Sequence, residues 1–155
     1  MLAYFCKYVP EELMQAFGTE FVCLEPHVTN FTQADALMHP NMCSFSKAVL
    51  EEFEKQDYEG MIFTSCCDSS RRLYDILCQQ FPDKFFFCLD LPRKINDFAV
   101  TLYTKQLQKL IEAYAAFSGK TFSEQKLLEI CKKRATSANI QPSSAPMNGI
   151  HIALA

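Results

Sequence analysis

Three cysteines stand where apolar segments give way to polar, turn-forming residues: Cys43 in Asn41-Met42-Cys43-Ser44, and the adjacent pair in Thr64-Ser65-Cys66-Cys67-Asp68-Ser69-Ser70. A thiolate is both a soft metal ligand and a nucleophile. It forms most readily where a helix N-terminus supplies backbone N–H groups and the positive end of a dipole. Cys43 and Cys67 each precede a helical pattern, so ligation of a metal or an iron–sulfur cluster is one chemistry open to them. Neither belongs to a CxxC, and the contiguous ferredoxin and zinc-ribbon signatures are absent. Spacing alone therefore leaves other readings open. The thiols could be reduced and structural in a non-catalytic scaffold or interaction domain, or Cys66-Cys67 could be a redox pair. The redox pair ranks last, because a vicinal disulfide is strained. Period-two alternation at a strand end turns Cys66 inward and leaves Cys67 facing out.

The other five cysteines, Cys6, Cys23, Cys78, Cys88 and Cys131, sit in apolar runs and read as small core hydrophobes. His27, His39 and His151 form no His-x-x-x-His and have no paired carboxylates nearby, which disfavours a zinc hydrolase or a histidine acid–base enzyme. Four glycines and no Gly-rich loop disfavour dinucleotide or P-loop binding.

The elements that must position these thiols alternate along the chain. Leu2–Cys6 reads as a strand, Glu11–Phe17 as a helix stopped by Gly18, and Glu20–Leu24 as a second strand. Residues 26–40 read as mostly loop, with a helical turn around Ala34–Met38. Phe45, Val49, Leu50 and Phe53 recur at helical spacing, leaving Glu51, Glu52 and Lys55 for the solvated side. Met61–Thr64 is a buried strand, and Asp68 or Ser69 is placed to cap the helix that carries Leu73, Ile76 and Leu77. Phe85–Leu89 reads as a strand covered on both faces. Ile95, Phe98, Leu102, Leu107, Leu110, Tyr114 and Phe117 then form the apolar stripe of a long helix ending at Gly119. Thr121-Phe122-Ser123-Glu124 has capping-box spacing before a further helix.

Such alternation predicts an α/β fold, a mostly parallel sheet flanked by helices of Rossmann- or flavodoxin-like type. Residues 1–136 form the α/β domain. Residues 137–149, rich in proline and serine, read as a linker, and 150–155 as a further strand. In such sheets the functional crevice lies beyond the carboxyl ends of the strands, where Cys67 and Asp90 both fall.

At 155 residues and 49% hydrophobic, the chain can bury one substantial core. A net charge of -3 without a basic run argues against nucleic acid as a partner. The N-terminal residues lack the pattern of a signal peptide and no segment has the length of a membrane span, so a cytoplasmic location is expected. In a reducing compartment eight cysteines do not imply disulfides.

Four segments in order, Tyr4-Phe5-Cys6-Lys7-Tyr8-Val9-Pro10-Glu11-Glu12-Leu13, His39-Pro40-Asn41-Met42-Cys43-Ser44-Phe45, Thr64-Ser65-Cys66-Cys67-Asp68-Ser69-Ser70-Arg71-Arg72-Leu73 and Asp90-Leu91-Pro92-Arg93, resemble the 2-hydroxyacyl-CoA dehydratase and benzoyl-CoA reductase family. The resemblance covers nearly the whole chain. It implies a [4Fe-4S] cluster held by three cysteines, two of them at the positions of Cys43 and Cys67. The third comes from a second α/β domain, whose first strand Ile150–Ala155 resembles. The resemblance further implies a CoA thioester substrate, a paralogous second subunit and an ATP-dependent activator. That activator delivers one electron for the elimination of water through a ketyl radical, in anaerobic metabolism. Under the same reading Ser44, Ser65 and Ser69 donate hydrogen bonds to sulfide or substrate, and Arg71, Arg72 and Arg93 meet CoA phosphates or the activator.

Overall fold

Met61, Ile62 and Phe63 are consecutive apolar residues, so neither face of the strand they form can be left in water. In a computed structural model of the chain, which describes residues 1–28 and 30–137, that strand is internal to a parallel sheet. The strands β1 (Leu2–Tyr4), β2 (Phe21–Cys23), β3 (Gly60–Thr64) and β4 (Phe85–Leu89) run in the order β2-β1-β3-β4, all parallel. Every residue of β3 is buried. The α/β class expected from the sequence is the class observed.

Among the described residues six helices accompany the sheet: α1 (Glu11–Ala16), α2 (Thr32–Leu37), α3 (Ser44–Lys55), α4 (Asp68–Gln80), α5 (Asp97–Ser118) and α6 (Glu124–Ser137). Alternation along the strands divides the apolar residues between two cores. Leu2, Tyr4, Ile62, Phe85 and Leu89 pack with residues of α1, α5 and α6. Ala3, Met61 and Phe63 pack with residues of α2, α3 and α4. Gly60 lets β3 approach β4 closely, since a Cβ there would lie 1.9 Å from the Phe85 carbonyl oxygen. Among the described residues no helix is long and apolar enough to cross a membrane.

Several expectations are corrected. Residues 26–40 contain a two-turn helix, α2, because the buried carboxylate of Glu51 accepts from the Gln33 and Ala34 amides at 2.7 and 2.9 Å. Glu51 therefore does not belong to the solvated side of α3. On α5 the buried stripe is Ala99, Tyr103, Leu107, Leu110 and Tyr114, whereas Phe98, Leu102 and Phe117 are exposed, and Ile95, expected on the stripe, is exposed in the loop before the helix. The helix is longer than the sheet it covers, and apolar spacing alone did not show which side met it. Cys23 and Cys131 are exposed and Cys6, Cys78 and Cys88 only half-buried: Cys23 and Cys88 lie on the edge strands β2 and β4, Cys6 in the loop after β1, Cys78 near the end of α4 and Cys131 on the outward side of α6. Ser123, not Thr121, accepts from the first turn of α6, being adjacent to its first residue. Ser137, expected to open the linker, is the last residue of α6. The rest of the linker and the strand expected over 150–155 lie outside the described residues.

Two glycines separate steric from conformational requirements. Gly60→Ala is expected to destabilise the fold by about 3 kcal/mol through overpacking against β4. Gly119→Ala, with φ of 68° but open space around it, should cost about 1 kcal/mol. Urea denaturation midpoints of the two variants check this order.

Candidate metal-ligating thiol site

Parallel strands joined by crossover helices bring helix N-termini to the carboxyl edge of the sheet. Cys43 and Cys67 are the N-cap residues of α3 and α4, both with extended backbone. Cys67, and not Asp68 or Ser69, caps α4, because Asp68 is already the first helical residue. The two caps share one local design. In Cys43-Ser44-Phe45-Ser46 the Cys43 Sγ accepts from the Ser46 amide at 3.4 Å, and in Cys67-Asp68-Ser69-Ser70 the Cys67 Sγ accepts from the Ser70 amide at 3.4 Å. Each sulfur takes up a helix donor that would otherwise lack a partner.

The serines three positions on are buried and differ in their hydroxyls. Ser46 Oγ lies 3.1 Å from Cys43 Sγ, while Ser70 Oγ donates to the Thr64 carbonyl at 2.8 Å. That difference separates the two thiols. Partial burial pushes the Cys43 thiol up, but the Ser46 hydroxyl and amide, the Ser69 hydroxyl and the Phe45 amide outweigh it, and its pKa falls below the ordinary value. Burial also pushes the Cys67 thiol up. The Ser70 amide only partly opposes this, and the neighbouring Cys66 and Cys43 sulfurs add to the rise. Cys43, Cys67, Cys66 and Ser69 are thus electrostatic neighbours, although residues 43 and 67 are far apart in the chain. Cys66 is exposed and does not turn into the core as alternation suggested, because the strand has ended at Thr64.

The remaining expected site residues divide. Ser44 is exposed on the first turn of α3. Ser65 is committed elsewhere, its hydroxyl donating to Asp90 Oδ1 at 2.5 Å and accepting from the Leu91 amide at 3.0 Å, so that it ties the end of β3 to the end of β4. Arg71 reaches the same Asp90 oxygen at 3.8 Å. Ser65, Arg71, Tyr74, Asp75, Cys88 and Asp90 line a cleft of about 260 Å³ beside the thiols. Arg72 pairs with Asp75 at 3.2 Å on the exposed side of α4, and Arg93 is exposed after β4. A larger cleft of about 390 Å³ includes Glu52 and Lys55 from the far end of α3 and has no part in this site. Ser46 and Ser70 were missed from the sequence. The repeated Cys-x-x-Ser at two helix starts was the signal that could have found them.

Soft thiols at two helix N-termini fit iron or another thiophilic metal by donor type. Among the described residues, however, no three Cys, His, Asp or Glu side chains are grouped to hold a metal ion.

A parallel α/β domain with exposed thiols at its carboxyl edge is the class of protein that fold and site define. The chain belongs to the family described as 2-hydroxyglutaryl-CoA dehydratase, D-component, whose model matches residues 6–140. It is similar to one of the subunits of the benzoyl-CoA reductase of Thauera aromatica, with 26% identity over 133 residues, which is 82% of this chain and 34% of that protein. The chain spans about a third of the length of this curated relative.

The two caps predict an order of reactivity. With a lowered pKa, Cys43 should be alkylated by iodoacetamide at lower pH than Cys67, as read by mass spectrometry of single-time-point labelling across a pH series. Ser46→Ala should move the Cys43 profile to higher pH and leave that of Cys67 in place.

Proposed function

We propose that this chain supplies two corners, Cys43 and Cys67, of a [4Fe-4S] cage in a 2-hydroxyacyl-CoA dehydratase-type subunit, with the third cysteine coming from outside the described residues. The observation that supports this most is the paired use of cysteine as helix N-cap at one sheet edge. Family membership and the donor type agree with it. The cluster, when bound, supplies low-potential one-electron chemistry, here directed to elimination of water from a CoA thioester after activation by an ATP-dependent partner.

The chain's own residues do the holding and orienting. Amide donors at the two helix starts stabilise the thiolate forms, and the Ser46 and Ser69 hydroxyls add to this at Cys43. Ser44, exposed on the first turn, faces no competing partner and is placed to meet substrate or a paralogous subunit. Ser65 positions the Asp90 turn. Arg71, held loosely by Asp90, and Arg93 offer planar guanidinium donors to CoA phosphates or to the activator.

A second reading is a non-catalytic scaffold or interaction domain with reduced structural thiols. The cap hydrogen bonds from the Ser46 and Ser70 amides, which give both thiols a structural partner without a metal, favour it.

Anaerobic reconstitution with iron and sulfide separates the two. The full chain, supplied with a small thiol to complete coordination, should take up both and develop visible charge-transfer absorption. Cys43→Ser and Cys67→Ser should each abolish that absorption, and Ser46→Ala should weaken iron retention about tenfold against a chelator. A folded protein that stays colourless, or one whose iron uptake ignores both cysteines, would sink the cluster reading in favour of the scaffold.

A further inference from the structure

The cleft of about 260 Å³ beside the thiols combines an apolar lining with charged groups that keep hydrogen-bonding capacity in reserve. Tyr74, its ring 5.7 Å from that of Phe63, and Cys88 of β4 supply the apolar part. Arg71, Asp75 and Asp90 supply the charges, one positive and two negative. The Arg71 guanidinium stands 3.8 Å from Asp90 Oδ1, close enough to feel the carboxylate and too far to bond it directly. Ser65 and Arg71 both meet Oδ1 of Asp90, so among the described residues Oδ2 accepts no hydrogen bond and the Arg71 side chain donates none. Ser65 in turn accepts from the Leu91 amide at 3.0 Å, which fixes Asp90 at the end of β4. A planar donor and a carboxylate acceptor thus stand side by side, each with capacity to spare.

We propose that this cleft holds the pantetheine arm of an acyl-CoA thioester, one amide carbonyl accepting from Arg71 and the N–H of the next amide donating to Asp90 Oδ2. The assignment rests on the thioester reading given above and narrows it. A phosphate is the wrong guest, because Asp90 already answers the Arg71 charge and Asp75 adds a second carboxylate to repel an anion. That leaves the CoA phosphates to Arg93, which does not line the cleft. Size points the same way, since pockets that enclose a whole drug-sized ligand run to roughly 300–1,000 Å³. This one has room for a slender segment and not for a nucleotide. The arm is neutral, so it leaves the Arg71–Asp90 pair in place, and its two successive amides carry both the acceptor and the donor that the pair can use. Its methylene groups match the Tyr74 and Cys88 lining. Ser65 lies on the cleft two residues before Cys67, which puts the thioester end of such an arm at the sheet edge where the two caps stand.

Titration of the full, nitrogen-15-labelled chain with pantetheine under reducing conditions, followed by amide NMR, should shift the Ser65, Cys88 and Leu91 signals saturably. Inorganic phosphate at the same concentrations should leave them in place. Arg71→Met should weaken pantetheine binding about tenfold, as loss of a charge-assisted hydrogen bond does. Asp90→Asn keeps an oxygen for Ser65 but removes the charge, so it should weaken pantetheine and admit phosphate beside Arg71. Three results would each overturn the assignment: cleft signals that pantetheine does not move, cleft signals that phosphate moves in the wild-type chain, or Arg71→Met binding pantetheine as tightly as wild type. Should Asp90→Asn unfold, as read by far-UV circular dichroism, the wild-type titrations and Arg71→Met decide. Failure here is separable from failure of the cluster reading. A chain that takes up iron through Cys43 and Cys67 yet ignores pantetheine loses this assignment alone, whereas one that binds pantetheine and stays colourless keeps the cleft and loses the cluster.

Discussion

Parallel pairing of β3 with strands on both sides is the constraint from which the rest of the molecule follows. A strand buried on both faces forces each connection to return as a helix over one face or the other. Every return ends with a helix pointing away from the carboxyl edge, and so begins with a helix N-terminus at that edge. The unpaired N–H groups of α3 and α4 collect there for topological reasons, before any chemistry is specified. Gly60 is part of the same constraint, since it lets β3 approach β4 closely where their pairing begins, opposite Phe85.

At two of those helix starts the chain uses cysteine where serine or aspartate would cap better. A sulfur acceptor at 3.4 Å is a weaker partner than an oxygen, and an oxygen cap in either place would stabilise its helix by about 1 kcal/mol more. Neither thiol recovers the difference through packing, because both cysteines are exposed. Stability alone thus gives no reason for the pair. The ligand role proposed above would give one, and the Ser69 hydroxyl, from the first turn of α4, already acts on the Cys43 sulfur at the start of α3.

Much of the fold was legible in the sequence because apolar runs and helical periods are local signals. The uninterrupted run in β3 and the Gly119 stop of α5 needed no tertiary information. What was not legible depended on distant partners. Residues 32–37 carry a weak helical pattern, and α2 exists because Glu51, 17 residues on from Ala34, reaches back to its amides. On α5 the apolar residues exceed what one face can bury, so spacing could not separate the core stripe of Tyr103, Leu107 and Tyr114 from the exposed Phe98, Leu102 and Phe117. At the site, Cys43 and Cys67 could be placed at helix starts from local pattern. Which serines support them turned on a three-residue offset and on where each hydroxyl finds its acceptor.

That last detail divides the labour between two otherwise similar caps. The Ser70 hydroxyl is tied to the Thr64 carbonyl, where it closes the end of β3, and is lost to the sulfur of Cys67. The Ser46 hydroxyl has no such strand end to close and turns to Cys43 instead. α4 follows its strand directly and must be anchored to it, whereas α3 is entered from a loop. A structural requirement at one helix therefore leaves its thiol with the weaker support and the higher pKa, and the helix without that requirement holds the thiol that ionises first. The asymmetry of the site is a consequence of chain order around β3.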